Sequence, residues 1–285
     1  MRIFLEHEVK NLYYFIIITF IFSWLLWLPK LLFSLGVIGY SPLFNILLLC
    51  GSFGPLVASF FLTYVERGMD GIKLIWHRGW YCEKKVYLYI SLILIPGLTF
   101  FSLLLASLPL GFNPIDLLEY KKYGFLFTEI LITFFIGGPF QEEFGWRGYA
   151  LDLLQSKWNA LESSIILGGI WSTWHFPLFF IIDTPQANQS FINFTISIIS
   201  VSVIFTWLYN STDGSILVAM IFHASINVSY LVFLPKISSS SNLIFTIFLD
   251  ATIICILFSY GHKKLNKLNR MDEIVKNSKP LDKAL

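Results

Sequence analysis

The sequence predicts an all-α, polytopic membrane helix bundle with about eight transmembrane helices, and three observations carry that reading. The 285 residues are 56% hydrophobic and only 13% charged, roughly half the charged share of a soluble domain. Apolar runs close to twenty residues long recur along the chain, the length a helix needs to cross the hydrocarbon core. These runs are apolar all round and do not alternate, so the strand pattern of a membrane barrel is excluded. Helices are the other way for a spanning segment to satisfy its own backbone in lipid.

The runs cover 12–35, 41–64, 86–108, 123–141, 163–182, 190–209, 214–234 and 241–260. The first ends without a small-residue cleavage pattern and is expected to be a retained span, not a removed signal peptide. Between the second and third, the segment 66–85 mixes charges with Ile72, Leu74, Ile75, Trp76 and Trp80, the composition of an amphipathic helix lying in the interface. The fourth and fifth runs carry polar residues at their ends. No linker and no internal repeat divides the chain. It is therefore expected to be one membrane-embedded domain over 1–285, with a motif core at 123–234 and a polar, loosely ordered cytoplasmic tail at 261–285.

Lys and Arg counts set the expected orientation. With eight spans the termini share a side, and that side carries sixteen of the twenty positive residues. Lys30, Lys121, Lys122 and Lys236 fall on the other. The chain is thus expected in the cell membrane with both termini cytoplasmic. The net charge of +2 and the lack of long like-charge blocks argue against a nucleic-acid partner. Cys50, Cys82 and Cys255 are far apart and form no metal-type or disulfide-type spacing.

Three polar clusters interrupt the apolar runs, and ionisable groups at membrane depth mark functional sites. The first holds Glu142, Glu143 and Arg147. On a helix Glu143 and Arg147 share a face while Glu142 diverges by about 100°, so Glu143–Arg147 is expected to be an ion pair and Glu142 the free carboxylate. Taken alone, the cluster also fits snorkelling residues at a helix end. The second cluster places His175 just before Pro177, where a helix kinks or ends; alone, a packing histidine fits it as well. The third places His223 and Asn227 four residues apart on one face of the seventh run; alone, helix–helix glue fits it. Together, one carboxylate, two imidazoles and an amide form a hydrolytic set: groups that take a proton from water and groups that stabilise an oxyanion. Two His and one Glu also suit a hydrolytic zinc centre, although no HExxH pair is present.

In their order, Glu142-Glu143…Arg147, Trp171…His175 and His223…Asn227 resemble the motifs of the CAAX prenyl endopeptidase and bacteriocin-processing family, also called CPBP or Abi. The stretch from Asn210 to Ile216 is similar to that family's turn into the motif helix. The resemblance covers roughly 123–234. It implies that Glu142 and His175 activate water, that His223 and Asn227 form the oxyanion hole, and that Glu143 and Arg147 support the site. It implies an intramembrane endopeptidase acting on membrane-associated or lipidated peptides or proteins, with glutamate catalysis and no cofactor. Trp171 stands where phenylalanine is usual. Relatives of this kind cut the last residues from prenylated CaaX tails or are linked to bacteriocin maturation, bacteriocin immunity and peptide signalling. Two other readings stay open here: a zinc-dependent version of the same protease, and a non-catalytic immunity or scaffold protein. A small-molecule transporter is disfavoured by the lack of internal duplication.

Overall fold

The computed structural model describes residues 2–108, 126–233 and 239–266, and every regular element among them is helical. In chain order these are α1 (Arg2–Ser34), α2 (Leu43–Gly51), α3 (Gly54–Arg78), α4 (Val86–Ser107), α5 (Leu126–Ile136), α6 (Pro139–Gly145), α7 (Leu151–Gln155), α8 (Ala160–Trp174), α9 (Phe191–Ser211), α10 (Ile216–Phe233) and α11 (Ser239–Tyr260). A π-helical turn, Trp146–Ala150, joins α6 to α7, and a 3-10 turn, Phe176–Phe180, follows α8.

The polytopic helical class is as the sequence predicts. Among the described residues, five helices are long and apolar enough to cross a membrane: Lys10–Ser34 of α1, α4, α9, α10 and Ser240–Tyr260 of α11. The pair α2 and α3, bent by 49° at their junction, has the apolar length of a sixth, either as one broken span or as a re-entrant loop. Among the described residues the fourth and fifth expected runs fall short: the 11-residue α5 stops at the Gly137-Gly138 turn, and the 15-residue α8 stops at His175. Most of the expected tail, 267–285, lies outside the described residues.

Of segment 66–85, residues 66–78 form a helical arm and 79–85 a turn into α4. Gly68 breaks α3 with φ 59° and ψ −154°, a conformation that glycine adopts without a Cβ penalty. The arm then turns Trp76 against α6, where it stacks on Phe144 at 5.9 Å and 11°.

Polar ties gather at one end of the bundle. Arg78 donates to Asp152 at 3.0 Å and to the Gly214 carbonyl at 2.9 Å, and Gln155 pairs with Asn210. Asn159 caps α8, accepting from the Glu162 amide at 3.0 Å while Glu162 returns a bond to the Asn159 amide, a reciprocal cap of the expected kind. The chain after α11 adds carbonyls of His262 and Lys263 to the start of α8. Burial is deepest where α6, α8, α9 and α10 meet, around Phe144, Trp146, Trp174, Phe205 and Phe222.

Candidate active site

All three motifs converge in that buried centre. Glu142 is 5% exposed, His175 8%, His223 5%, and Glu143 and Arg147 are fully buried, which at this depth demands partners for every charge. Arg147 supplies one: its Nη1 donates to both oxygens of Glu143, at 2.9 and 3.0 Å. The guanidinium also lies over the rings of Phe205 (3.6 Å) and Trp171 (4.5 Å), a cation–π arrangement strengthened by desolvation. The expected Glu143–Arg147 ion pair is therefore present.

Glu143 has a second partner that spacing did not reveal. His223 donates from Nδ1 to Glu143 Oε1 at 2.7 Å. That bond sets the ring orientation and leaves Nε2 for other work. His175 is set in a similar way. Its Nδ1 lies 2.8 Å from the Trp171 carbonyl, and a carbonyl only accepts, so Nδ1 carries the proton and Nε2 keeps its lone pair.

Glu142 does diverge from Arg147, but it is not wholly free. Two indoles donate to its Oε2, Trp171 at 2.6 Å and Trp146 at 3.2 Å. Trp146 reaches it because residues four apart share a helical face. Trp171 reaches it from α8, with its ring 5.9 Å from His175 and 5.3 Å from His223. Trp171 thus stands among Glu142, His175 and His223, and it links Glu142 to His175. The departure from the family's usual phenylalanine adds a hydrogen-bond donor at this point.

The other oxygen, Oε1, borders the space beside Gly138. A Cβ placed on Gly138 would lie 2.8 Å from Glu142 Oε1 and 3.4 Å from His223 Nε2. Gly138 sits at φ +116°, where side-chain-bearing residues are strained, and its amide donates to Gln141 Oε1 at 3.0 Å. The Gly137-Gly138-Pro139 sequence is the signal that could have marked this turn. Asn227 closes it, donating from Nδ2 to the Gly137 carbonyl at 2.8 Å. Asn227 is half-buried at the edge of the cluster, with one of its two amide hydrogens already engaged. Gly138→Ala is expected to destabilise the protein by about 1–3 kcal/mol, read as a lower midpoint of thermal unfolding in detergent. An unchanged midpoint would mean that the turn is not strained.

The π-helical turn directly after the paired glutamates belongs to this local design. Such turns occur mostly as single insertions near functional sites, and here it holds Trp146 and Arg147 inward, both fully buried.

A helical bundle that gathers a buried carboxylate and two oriented imidazoles around Trp171, with an amide on the adjoining glycine turn, has the makings of a membrane hydrolase. The family model described as Type II CAAX prenyl endopeptidase Rce1-like matches residues 124–229. The chain is also 31% identical, over 223 residues, to the protein of Methanococcus maripaludis named CAAX prenyl protease 2, covering 74% of this chain and 80% of that relative. The chain belongs to the CAAX prenyl protease family, and so to a family of membrane proteases that hydrolyse peptide bonds.

Proposed function

We propose that the chain is an intramembrane glutamate endopeptidase with Glu142 as general base. The observation that carries this reading is the division of labour on one carboxylate: Oε2 is held by two indoles, while Oε1 borders the same small space as His223 Nε2. A water in that space loses a proton to Glu142 as its oxygen attacks the scissile carbonyl. His175, whose Nε2 lone pair is free, shares that proton and returns it to the departing amine as the C–N bond breaks. In this reading His223 donates to the oxyanion from Nε2 while its Nδ1 faces Glu143, and the second amide hydrogen of Asn227 donates beside it. Glu143 and Arg147 orient His223.

The substrate class is a membrane-associated or lipidated peptide, a reading supported by the buried position of the site and by the name of the Methanococcus relative. The excess of Lys and Arg toward the two ends of the chain supports a cytoplasmic side for both termini. A zinc version has little support in the donor set: among the described residues no group of three or more His, Cys, Asp or Glu side chains could hold a metal ion, and Glu143 is engaged by Arg147 and His223.

The deciding experiment compares new protein termini in membranes of cells that contain the natural partner and express either the native chain or Glu142→Gln at equal abundance. Termini found only with the native chain establish proteolysis and identify substrates. Identical termini in both would favour the immunity or scaffold reading.

Trp171→Phe isolates the indole hydrogen bond, because it keeps an aromatic side chain at this position and removes only the N–H donor and part of the ring. Removing a hydrogen bond to a charged group costs about tenfold or more. The expected result is a kcat lower by roughly that factor with KM little changed. A wild-type kcat would show that the bond does not act on Glu142 in the reaction.

A further inference from the structure

A cavity of about 560 Å³ opens at the end of the bundle opposite the Arg78–Asp152 ties, lined by Lys30, Phe33, Tyr40, Asn45, Ile182 and Asp183 among others. Its volume is in the range of small-molecule sites. It lies beyond the catalytic cluster: Trp27, one turn before Lys30, packs on Trp174 at 4.9 Å, and Trp174 adjoins His175.

Lys30 is only 4% exposed, yet among the described residues its ammonium makes no ion pair and no hydrogen bond. It rests against the rings of Phe33 and Tyr40, at 5.3 and 5.6 Å from their centroids. Those faces cover part of the charge and leave its three N–H donors unused. The rest of the side chain is buried while Nζ reaches the opening, so an anion entering there meets an ammonium with no carboxylate partner among the described residues. Asn45 and Tyr40, joined by a 3.2 Å hydrogen bond, stand beside it with further donor capacity.

Asp183 lines the same cavity without pairing with Lys30. Its backbone is left-handed, φ 66°, and the neighbouring Ile182 amide donates to Ser34 Oγ at 3.1 Å, which pins this loop to α1. Two opposite charges are therefore held apart across one opening. The apolar stretch Lys10–Ser34 ends here, which is the level at which lipid headgroups lie.

From these observations we propose that the cavity binds the headgroup of a membrane phospholipid, its phosphate on Lys30 and, in phosphatidylethanolamine, its amine on Asp183. The site is independent of the catalytic reading.

Native mass spectrometry of the full chain, in micelles doped with equal amounts of phosphatidylethanolamine, phosphatidylglycerol, phosphatidylcholine and diacylglycerol, tests it. The native chain is expected to retain one phospholipid, with phosphatidylethanolamine preferred and diacylglycerol not retained. Lys30→Met is expected to weaken retention of all three phospholipids by about tenfold, and Lys30→Arg to preserve it. Asp183→Asn, which tolerates the left-handed backbone, is expected to remove only the preference for phosphatidylethanolamine. Native-level retention in Lys30→Met would overturn the proposal. So would an unchanged lipid preference in Asp183→Asn, which keeps the test decisive if Lys30→Met does not fold. Displacement of the lipid by millimolar inorganic phosphate would also overturn it, by reassigning the cavity to a free anion.

Discussion

Glu142→Gln is expected to abolish peptide hydrolysis while leaving the bundle folded. The substitution keeps the volume, and its amide oxygen can still accept from Trp171 and Trp146, the two indoles now 2.6 and 3.2 Å from Oε2. What it removes is basicity at the oxygen beside Gly138. A positioned general base is worth about 10²–10⁴-fold in rate, so a fall of that size or larger is expected in kcat of purified protein. Thermal unfolding in detergent should change little, since the buried site loses one charge and retains its donors' partners. Native activity in Glu142→Gln would remove this residue from the mechanism. Lost activity together with an unfolded protein would mean that the carboxylate is mainly structural.

Arg147→Met is expected to have the largest effect on stability. Arg147 and Glu143 are both fully buried and bonded twice, and breaking such a pair from one side costs about 3–5 kcal/mol because the other charge is left without its partner. Glu143 would retain His223 alone, and the Phe205 and Trp171 rings would lose the cation above them. The expected observation is a strong drop in the unfolding midpoint together with lost activity. The double variant Glu143→Leu/Arg147→Met should recover much of the stability, since removing both members of a buried pair is often near neutral. It should not recover activity, because His223 would have no acceptor for its Nδ1 proton. Equal instability in the single and double variants would show that packing of the Arg147 side chain, and not the unpaired Glu143 charge, dominates.

Several features of the site are legible in the sequence alone. Glu143 and Arg147 are four apart in an apolar setting, and helical geometry alone pairs them. His175 before Pro177 marks a helix end, and α8 does end at Trp174. Trp146 was equally accessible by the same four-residue rule from Glu142, but its indole reads as one more apolar side chain in an aromatic-rich segment. Gly138 was masked in a similar way, because a glycine in an apolar run does not declare its φ. Trp171 stands out in the sequence as a departure in residue type, whereas its hydrogen bond to Glu142 depends on how α8 packs against α6.

Hydropathy and helical periodicity are one-dimensional signals, so the sequence by itself determined the membrane class, the helical character, the order of the motifs and the local Glu143–Arg147 pair. Tertiary structure alone decided the contacts between residues far apart in the chain. Trp171 meets Glu142 across 29 residues, His223 meets Glu143 across 80, and Asn227 meets the Gly137 carbonyl across 90. It also decided that Lys30 faces a cavity with Asp183 on its rim. The physical reason is that hydrogen bonds and ion pairs act over a few ångströms, and which side chains come within that reach is set by helix packing, which no spacing along the chain encodes.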